Sequence, residues 1–506
     1  MKVLLTAAQS QAADRYTIEN LHQPSRKLME SAAEAVFQTV KRQVPDPKTP
    51  GVLIAGPGNN GGDAFALARI LKAAGYSSFR LYLIGGSKLS ADAAEQLDLW
   101  KKAGGQVHES VSFDADALDG AEWVADGLLG TGLNRRVEGE WARWIEGINA
   151  RNVPQVFAID IPSGLNADTG AAMGCAVRAT HTVTFGSLKR GLVTGEAGDY
   201  VGELSCHPIG IVPGVPGAAL DCFLFEKKDA KDALPIRSSA GHKGSYGHVY
   251  LWVGVEATEG AAGLAAIAAY RAGSGLVTLI ADHPLTSLRS RLPVELMAKE
   301  VELDFLSTLS ASDTLVIGPG LGTAKGSWGK VRAALLSKAR LVLDADALNG
   351  IAMHVEEACQ LLRERTSPTV CTPHPKEAAR LLGVDAAVVN ADRYGAVRTL
   401  ADRYHAIFVL KGWGTLLCRP QGPTWVVQRG NSALSKGGTG DLLSGIVGSL
   451  LGQGTDALSL SALAVYAHGR CAELWSEQAG TERSALASDF VSQLTTVWAE
   501  LERTKP

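Results

Sequence analysis

The chain has 506 residues, of which 46% are hydrophobic and 20% are charged, and its formal net charge at pH 7 is −3. This composition is typical of globular proteins. With a usual domain size of about 150 residues, the length predicts roughly two to four domains. The balanced charge and the lack of a long uncharged apolar run lead us to expect no nucleic-acid partner and no membrane partner. Seven scattered cysteines without CxxC spacing predict reduced thiols in a cytoplasmic protein without a zinc site.

Two series of short β-branched runs alternate with alanine- and leucine-rich helical patterns. The first series starts with GVLIA (51–55) and ends with HTVTFG (181–186), and the second runs from HVYLWVGV (248–255) to AIFVLKGWG (406–414). Continuous apolar strands with helices between them predict parallel sheets covered on both faces. A stretch near residue 225 is rich in proline and glycine and then becomes charged, so we predict two α/β domains. Their predicted ranges are 1–220 and 226–504.

A glycine-rich loop follows the first strand, in GPGNNGGDAFALAR (56–69). It departs from the GxGxxG dinucleotide fingerprint. Its acid, Asp63, is better suited to hydrogen-bonding hydroxyls than to meeting a phosphate. A tight turn with Asp63 near the start of a helix is the alternative interpretation. The substrate-binding candidates in this loop are Asn59, Asn60, Gly61, Gly62 and Asp63.

Two further loops follow strands in the first half, VADGLLGTGLNRRVEG (124–139) and AIDIPSGLNADTG (158–170). The glycines of the former can approach a phosphate and its paired arginines can neutralise one, although the arginines could also be simply solvated. Asp160 ends a buried strand, and an acid there is more often functional than structural because an unpaired buried charge is costly. The substrate-binding candidates of the former loop are Gly130, Thr131, Gly132, Leu133, Asn134, Arg135 and Arg136.

In the second half, a glycine-rich turn leads into an apolar helical stretch, SKGGTGDLLSGIVGSLL (435–451). Its N–H groups and the positive end of the helix can bind a phosphate. The helix dipole favours an ionised Asp441, which can accept a proton from a hydroxyl. An ordinary capped helix after a glycine turn is the alternative, because short glycine motifs recur by chance. The phosphate-binding candidates are Gly437, Gly438 and Gly440.

Three other junctions of the second half carry candidate binding residues. Lys411, Gly412, Trp413, Gly414 and Thr415 follow a strand, at the end where α/β sheets bind ligands. His374 lies in TPHPKEAARLLG and Gly322 ends GPGLG. A loop histidine that caps a helix is an equally good interpretation of His374.

Five motifs in order, GHKGSYGHV, GPGLG, PHPKEAARLLG, LKGWGT and GGTGD, resemble those of the nucleotide-dependent NAD(P)H-hydrate dehydratases. The resemblance implies a ribokinase-like α/β fold, with ADP or ATP and Mg²⁺ as cosubstrate. It also implies that the C6 hydroxyl of a hydrated nicotinamide ring is phosphorylated and then expelled, and that loss of a C5 proton restores NADH or NADPH.

The same resemblance implies roles for individual residues. Asp441 takes the hydroxyl proton, the glycine turn holds the transferring phosphate, and residues 411–415 bind the adenine nucleotide. The residues that bind the hydrate are Ala261, Gly322, His374 and Asp441. One departure lies in WVGVEATEGAAG, where Gly254 is followed by Val255 and Glu256 instead of a second glycine and a small polar residue.

In the first half, AAQSQAAD, GPGNNGGDAFALAR, DGLLGTGLNR and IDIPSGLNADTG resemble the NAD(P)H-hydrate epimerases, the YjeF N-terminal family. The resemblance implies a Rossmann-like three-layer α/β/α domain and a potassium ion held by Asn60, Asp126, Ser163 and backbone carbonyls. C6 of the hydrate is a hemiaminal carbon, so assisted loss of water gives a planar iminium-like centre, and water can return on either face. Asp160 is the candidate acid/base.

Together these patterns predict a bifunctional repair enzyme. Its epimerase converts the epimer that the dehydratase rejects, and its ligands are NAD(P)HX and ADP or ATP. We expect a cytoplasmic homo-oligomer. Two alternatives are a small-molecule kinase of vitamin or sugar type with a regulatory N-terminal domain, and a non-catalytic binding scaffold. The retained acids Asp126 and Asp160 argue against the scaffold.

Overall fold

A computed structural model describes residues 1–86, 88–110, 112–324 and 326–502. The chain divides into two compact units, the first of which is Val3–Cys222. The second contains Met1–Lys2 and the chain from Phe223 onward. Within the described ranges, no helix combines the length and apolarity needed to cross a membrane.

The first unit alternates strands and helices along the chain. Its elements are β1 (Lys2–Leu5), α1 (Ala7–Glu19), α2 (Ser25–Gln43), β2 (Gly51–Ala55), α3 (Asn59–Ala73), β3 (Phe79–Ile84), α4 (Ala91–Lys102), β4 (His108–Ser110), β5 (Trp123–Gly127), α5 (Gly139–Ala150), β6 (Gln155–Ile159), β7 (His181–Phe185), β8 (Leu188–Lys189) and β9 (Glu203–His207).

The main sheet of this unit has the strand order β4-β3-β2-β5-β6-β7-β9, with every neighbouring pair parallel. β2, β5 and β7 are buried from end to end, as expected for strands covered on both faces. Successive residues of β2 point to opposite faces. Leu53 packs in the core formed with α2 and α3, whereas Ile54 packs in the core formed with α5. The predicted three-layer α/β/α arrangement is therefore confirmed.

The order of the strands places an opening at one edge of this sheet. The chain moves outward from β2 to β3 and β4, and then returns to the other side of β2 with β5 and β6. Ligands bind at such a switch point, beyond the carboxyl ends of the strands. The loops that follow β2 and β5 meet there, since the Gly56 amide donates to the Gly127 carbonyl at 3.0 Å.

The second unit repeats the alternation with more helices. Its elements are β10 (Cys222–Leu224), α6 (Lys227–Ala233), β11 (His248–Trp252), α7 (Glu259–Arg271), β12 (Leu276–Ala281), α8 (Thr286–Arg289), β13 (Met297–Glu300), β14 (Asp313–Ile317), α9 (Ser327–Leu336), β15 (Arg340–Leu343), α10 (Ala345–Met353), α11 (Val355–Glu364), β16 (Thr369–Cys371), α12 (Pro375–Leu382), α13 (Ala386–Ala391), α14 (Arg393–Tyr404), β17 (Ile407–Leu410), β18 (Thr415–Cys418), β19 (Thr424–Val427), α15 (Thr439–Gln453), α16 (Ala457–Ala479) and α17 (Ala487–Glu502).

The strands of this unit run in the order β13-β12-β11-β14-β15-β16-β17-β18-β19-β10. Pairing is parallel from β13 to β17 and antiparallel from β17 to β19. The chain reverses its direction across the sheet between β11 and β14, which again predicts a binding crevice at the carboxyl ends. The backbones that follow these two strands touch, because a Cβ on Gly254 would overlap the carbonyl oxygen of Gly320.

The helix that follows the glycine turn is held close to its neighbour. α15 is buried along most of its length and packs against α7. A Cβ on Gly445 would overlap the carbonyl oxygen of Ala265, so glycine permits this close approach. The packing fixes the amino end of α15, which carries Asp441.

Candidate functional site

The first unit contains a cavity of about 930 Å³ at the switch point of its sheet. The loops after β2, β5 and β6 all contribute to its wall. The predicted residues that line it are Asn59, Asn60, Asp63, Gly130, Thr131, Gly132, Leu133, Asn134, Arg135, Arg136 and Asp160. The fold thus brings together candidates that are about 100 residues apart in the chain, because the carboxyl ends of parallel strands share one edge.

Two predicted residues of the first loop do not line this cavity. Gly61 packs on the loop itself, where a Cβ would overlap the Gly56 carbonyl oxygen. Gly62 faces the other way, and a Cβ there would lie 2.8 Å from Cε of Met29. Both glycines let α3 start against packed neighbours, and their part in substrate binding stays a prediction.

Asp160 lies just after β6 with a left-handed backbone, φ 63°. Its Oδ1 accepts hydrogen bonds from Thr184 Oγ1 at 2.9 Å, from the Phe185 amide at 3.2 Å, and from Lys189 Nζ. Lys189 is 2% exposed and donates further hydrogen bonds to Thr184 Oγ1 and to the Phe185 carbonyl. The ammonium has three acceptors, so the pair is an anchored and hydrogen-bonded buried ion pair.

Two more carboxyl groups, Asp14 and Asp63, line the same cavity. Burial raises the pKa of Asp14 to about 6, with the Lys189 ammonium lowering it and the Asp160 carboxylate raising it. Burial also raises the pKa of Asp63 well above its usual range, and Asp160 and Asp14 add to this effect. Sequence reasoning assigned no role to Asp14 or Lys189, although Asp14 ends the quoted AAQSQAAD motif.

Asp126 and Ser163 lie beneath the cavity and bind each other. Asp126 accepts from the Ser163 amide at 2.8 Å and from Ser163 Oγ at 2.6 Å. Ser163 Oγ also accepts from the Leu129 amide at 2.8 Å, and Asn60 Nδ2 donates to the Leu129 carbonyl at 2.9 Å. Burial raises the pKa of Asp126 to about 6, against the lowering effect of its hydrogen bonds. The three predicted potassium ligands are therefore clustered around Leu129.

In the second unit, a buried ion pair lies at the carboxyl edge of the sheet. Lys411 Nζ donates to Asp344 Oδ1 at 2.8 Å, and Ser444 Oγ donates to Asp344 Oδ2 at 2.6 Å. A Cβ on Gly440 would lie 3.5 Å from Lys411 Nζ, so the pair is adjacent to the glycine turn. Burial alone would lower the pKa of Lys411, but the carboxylates of Asp344, Glu377 and Asp441 together raise it.

Asp441 lies in the first turn of α15, as the sequence predicted. Burial and the neighbouring Asp344 carboxylate raise the pKa of Asp441 to about 6, while Lys411 lowers it. Gly438 caps the helix in the left-handed region, φ 91°. A Cβ on Gly437 would meet no atom within 4 Å, so the turn is open above this glycine.

His374 has the capping geometry that the sequence left open. It precedes α12, and its Nδ1 accepts from the amides of Lys376 and Glu377 at 3.1 and 3.2 Å. Glu377 Oε2 in turn accepts from the His374 amide at 2.8 Å, which completes a reciprocal cap. Burial and the Lys411 ammonium lower the pKa of His374. The ring is thus neutral, with its proton on Nε2.

The remaining hydrate-binding candidates lie around the β11–β14 crevice. Gly322 has a left-handed backbone, φ 77°, and its amide donates to Asp346 Oδ2 at 2.8 Å. Ala261 is partly buried near the start of α7. Val255, at the departure from the family pattern, is 44% exposed. Its Cγ1 would lie 3.4 Å from a Cβ on Gly322, so this departure is adjacent to a predicted binding residue.

The KGWGT segment joins β17 to β18. Gly412 has φ 147°, and a Cβ there would lie 2.8 Å from the Arg393 guanidinium. Thr415 Oγ1 donates to the Gly412 carbonyl at 3.0 Å. Trp413 lines a separate cavity of about 590 Å³ together with Gln428 and Arg429. Lys411 therefore contacts Asp344, whereas Trp413 lines the separate cavity. The sequence analysis had assigned both residues to one nucleotide-binding segment.

Sequence reasoning missed Asp344 and Ser444 as site residues. Asp344 follows β15 in LVLDADALN, and Ser444 lies three residues after Asp441. An acid immediately after a buried strand was the signal that identified Asp160, and the same signal was available for Asp344.

Comparisons with known proteins match the two halves of the chain to two different families. The model of the NAD(P)H-hydrate dehydratase family matches residues 249–495, and the model described as YjeF-related protein N-terminus matches residues 25–191. A crystal structure of the ADP/ATP-dependent NAD(P)H-hydrate dehydratase from Bacillus subtilis, co-crystallized with ATP/Mg²⁺, aligns with a TM-score of 0.51 and 30% identity. The alignment covers 56% of this chain and 100% of that one. The predicted ribokinase-like α/β fold of the second half is thus confirmed.

Curated relatives span both halves. The chain is 36% identical over 472 residues to the bifunctional NAD(P)H-hydrate repair enzyme Nnr of Escherichia coli (strain K12), which covers 92% of this chain and 88% of the relative. It is also 36% identical over 508 residues to the enzyme of the same name from Coxiella burnetii, covering 98% of this chain and 99% of the relative. The chain therefore belongs to the family of bifunctional NAD(P)H-hydrate repair enzymes.

Proposed function

We propose that the first unit, Val3–Cys222, interconverts the R and S epimers of NAD(P)HX. The second unit, from Phe223 onward, dehydrates the S epimer to NAD(P)H at the expense of ADP or ATP. One observation carries this proposal. The chain has two sites, and each has a carboxylate at the carboxyl edge of a parallel sheet. Asp160 marks the first site and Asp441 the second.

In the epimerase, the 930 Å³ cavity is large enough for a dinucleotide-sized ligand to bind in part. The paired arginines Arg135 and Arg136 would neutralise phosphate, and Asn59, Asn60 and Asp63 would hydrogen-bond hydroxyls. Asp160 exchanges a proton with the oxygen on C6. Because Lys189 anchors its carboxylate, Asp160 keeps one orientation toward the ring.

The residues around Asp126 fit a potassium ion. Asp126 is fully buried, and among the described residues no cationic side chain forms an ion pair with it. A buried carboxylate without a counter-charge is costly, so a bound cation would be stabilising. The set of one carboxylate with amide, hydroxyl and carbonyl oxygens suits a weakly held monovalent cation. When bound, potassium would supply positive charge beneath the loops that line the cavity.

In the dehydratase, Asp441 accepts the proton of the C6 hydroxyl as that oxygen attacks the terminal phosphate of the nucleotide. The N–H groups of the turn at Gly437, Gly438 and Gly440 stabilise the transferring phosphoryl group, and Lys411 neutralises part of its charge. The C6–O bond then breaks and inorganic phosphate leaves with the bonding electrons while the lone pair of the ring nitrogen forms the C6=N1 iminium, and loss of the C5 proton to solvent restores the reduced ring. Gly322, His374 and Ala261 would border the ring.

The residues present also fit a nucleotide that brings its own Mg²⁺. Among the described residues, no cluster of three or more His, Cys, Asp or Glu side chains could hold a metal ion. Mg²⁺ commonly binds substrate phosphates with one or two carboxylates and keeps several waters. When bound, Mg²⁺ would offset phosphate charge. Gly412, Trp413, Gly414 and Thr415 would bind the nucleotide beside Lys411.

The test uses the full chain, an epimer mixture of NADHX, and ADP or ATP with Mg²⁺ and K⁺. Recovery of NADH is followed by the absorbance of the reduced ring. Complete recovery supports both activities, and recovery that stops at the fraction of the S epimer contradicts the epimerase. A stable phosphorylated product without NADH would favour the small-molecule kinase instead.

We also propose that the chain acts as a homo-oligomer in the cytoplasm, where reduced cysteines persist. Light scattering on the purified chain measures the oligomeric state, and a monomer at micromolar concentration would contradict the proposal. Fractionation of cells tests the compartment.

A further inference from the structure

Asp14 is a carboxyl group that lines the epimerase cavity. Neither its sequence motif nor the family resemblance assigns it a role. We propose that Asp14 is the second acid/base residue of the epimerase and acts on the face of the nicotinamide ring opposite Asp160. This inference rests on the proposed epimerase activity of the first unit. It follows from the geometry of the cavity and from what an inversion at C6 requires.

The fold holds Asp14 firmly at the cavity wall. It lies on α1, whose amino end is fixed by a reciprocal cap. The Gln9 amide donates to Thr6 Oγ1 at 3.1 Å, and the Thr6 amide donates to Gln9 Oε1 at 2.9 Å. Asp14 and Asp160 line one cavity although α1 and β6 are separate elements of the unit. Two carboxyl groups therefore approach a common ligand from two different elements.

The hydrogen bonds of the cavity distinguish the two carboxyl groups. Lys189 directs its ammonium to Asp160, Thr184 and Phe185. Asp160 thus has a fixed counter-charge. Asp14 has no hydrogen bond or ion pair within the described parts of the chain, although it is only partly exposed. An acid with no structural partner remains available to the ligand.

The electrostatic surroundings suit proton exchange. Lys189 and Asp160 act on Asp14 electrostatically, Asp14 acts on Asp63, and the other charged groups that line the cavity are Asp92, Arg135, Arg136 and Glu138. Burial raises the pKa of Asp14 to about 6. Both protonation states are therefore accessible near neutral pH. A group of this kind can give a proton and take one back.

Inversion at C6 needs proton transfer on both faces of the ring. In the first step Asp14 gives its proton to the C6 hydroxyl, the C6–O bond breaks, and the N1 lone pair forms the C6=N1 iminium as water leaves. In the second step water adds to the opposite face, Asp160 takes its proton, and the electron pair returns to N1. The balance is one water out, one water in and one proton moved from Asp14 to Asp160, and exchange with solvent returns both carboxyl groups to their starting states before the next turnover in the same direction. The other epimer runs the steps in reverse.

One carboxylate in a fixed orientation does not transfer protons on both faces of the ring. Asp160 is held through Oδ1 by Lys189, Thr184 and the Phe185 amide, so it serves one face. Asp63 is the competing candidate for the other face. Burial and the nearby Asp160 and Asp14 carboxylates hold the pKa of Asp63 well above its usual range. Because Asp63 is already assigned to hydrogen-bonding the substrate hydroxyls, Asp14 is the carboxyl group left for the other face, and the D63N variant below tests that choice.

The experiment follows NADH recovery by the full chain from an epimer mixture. The fast phase reports dehydration of the S epimer that is already present. The slow phase reports epimerisation, because it begins once that S epimer has been consumed. We expect D14N to lower kcat of the slow phase by about 10²-fold or more, with little change in KM and with the fast phase unchanged. The wild-type pH profile should show an ionisation near pH 6 that is absent from D14N. D14E should restore part of the rate.

The control is Arg15→Gln, because Arg15 is an exposed neighbour on the same helix and its replacement should leave both phases unchanged. An unaltered kcat in D14N, or a change confined to KM, overturns the assignment. So does a loss of the slow phase in D63N with D14N unaffected. If the wild type has no slow phase, or D160N leaves it intact, the epimerase mechanism itself fails, whatever D14N does.

Discussion

Lys411 and Asp344 form a buried ion pair, with 2.8 Å between Nζ and Oδ1, directly beside the glycine turn that precedes Asp441. The positive charge of this pair lowers the pKa of Asp441, while its negative charge raises it. The site therefore presents a cation for phosphate and a carboxylate that gains protons easily. The same pairing of an anchored cation with nearby acids occurs independently in the first unit, at Lys189 and Asp160.

Replacing Asp441 with Asn should abolish the fast phase of NADH recovery, with a fall of about 10²–10⁴-fold in kcat, because the amide does not accept the hydroxyl proton. Epimerisation should persist. It can be followed by chromatographic separation of the two epimers, since NADH no longer forms. Asp232→Asn is the matched control, because Asp232 is an exposed acid of the same unit. A D441N chain that still makes NADH at the wild-type rate would falsify the role of Asp441.

The dehydratase should lose activity on the acid side of about pH 6. The base must be ionised, the pKa of Asp441 is raised to about 6, and the protonated fraction increases as the pH falls through that value. Below it, kcat/KM should fall by about tenfold per pH unit. The measurement is the pH dependence of the fast phase between pH 5 and about pH 8, and a flat profile across pH 6 contradicts the prediction.

Replacing Lys411 with Met should move this acid limb to higher pH, because Lys411 lowers the pKa of Asp441. The rate at neutral pH should also fall, since phosphate loses a counter-charge. Lys436→Met serves as a comparison that removes a lysine of the glycine turn before α15. An acid limb that stays in place, or that moves to lower pH, would show that Lys411 does not act on Asp441.

Replacing Lys189 with Met should destabilise the first unit by about 1–3 kcal/mol, because the partly exposed Asp160 carboxylate loses its charged partner but keeps its hydrogen bonds from Thr184 and the Phe185 amide. The chain has two units, so a single unfolding temperature would mix their contributions. Hydrogen exchange read peptide by peptide measures the first unit alone, and β6 and β7 should lose protection. Lys27→Met is the control, since Lys27 is exposed on α2. Equal protection in both variants contradicts the structural role of Lys189.

Potassium should matter to the first unit only. Exchanging K⁺ for tetramethylammonium should slow the slow phase of NADH recovery and leave the fast phase unchanged. In D126N the rate of the slow phase should be low and should not depend on which cation is present, because the buried carboxylate that attracts K⁺ is gone. A D126N chain that keeps the full K⁺ response would place the ion elsewhere.

Several features of the site could be predicted from local sequence. Asp160 directly follows an apolar strand and Asp441 follows a glycine-rich turn, and glycine-rich stretches such as 437–440 identify places where backbone N–H groups are exposed. The alternation of strands and helices predicted parallel sheets. Because the carboxyl ends of parallel strands share one edge, it also predicted that the loops near Asn59, Gly130 and Asp160 meet. Their common cavity is the consequence.

The partners of these residues depended on the tertiary structure. Lys189 reaches Asp160 across 29 residues, and Ser444 reaches Asp344 across 100. Such contacts follow from the order of strands in the sheet and from the packing of helices over it, neither of which a local pattern contains. Burial also raised the pKa of Asp441, whereas local reasoning considered only the helix dipole, which favours the ionised form. The sequence by itself therefore predicted which groups are candidates for the chemistry, whereas the fold decided which charges surround them.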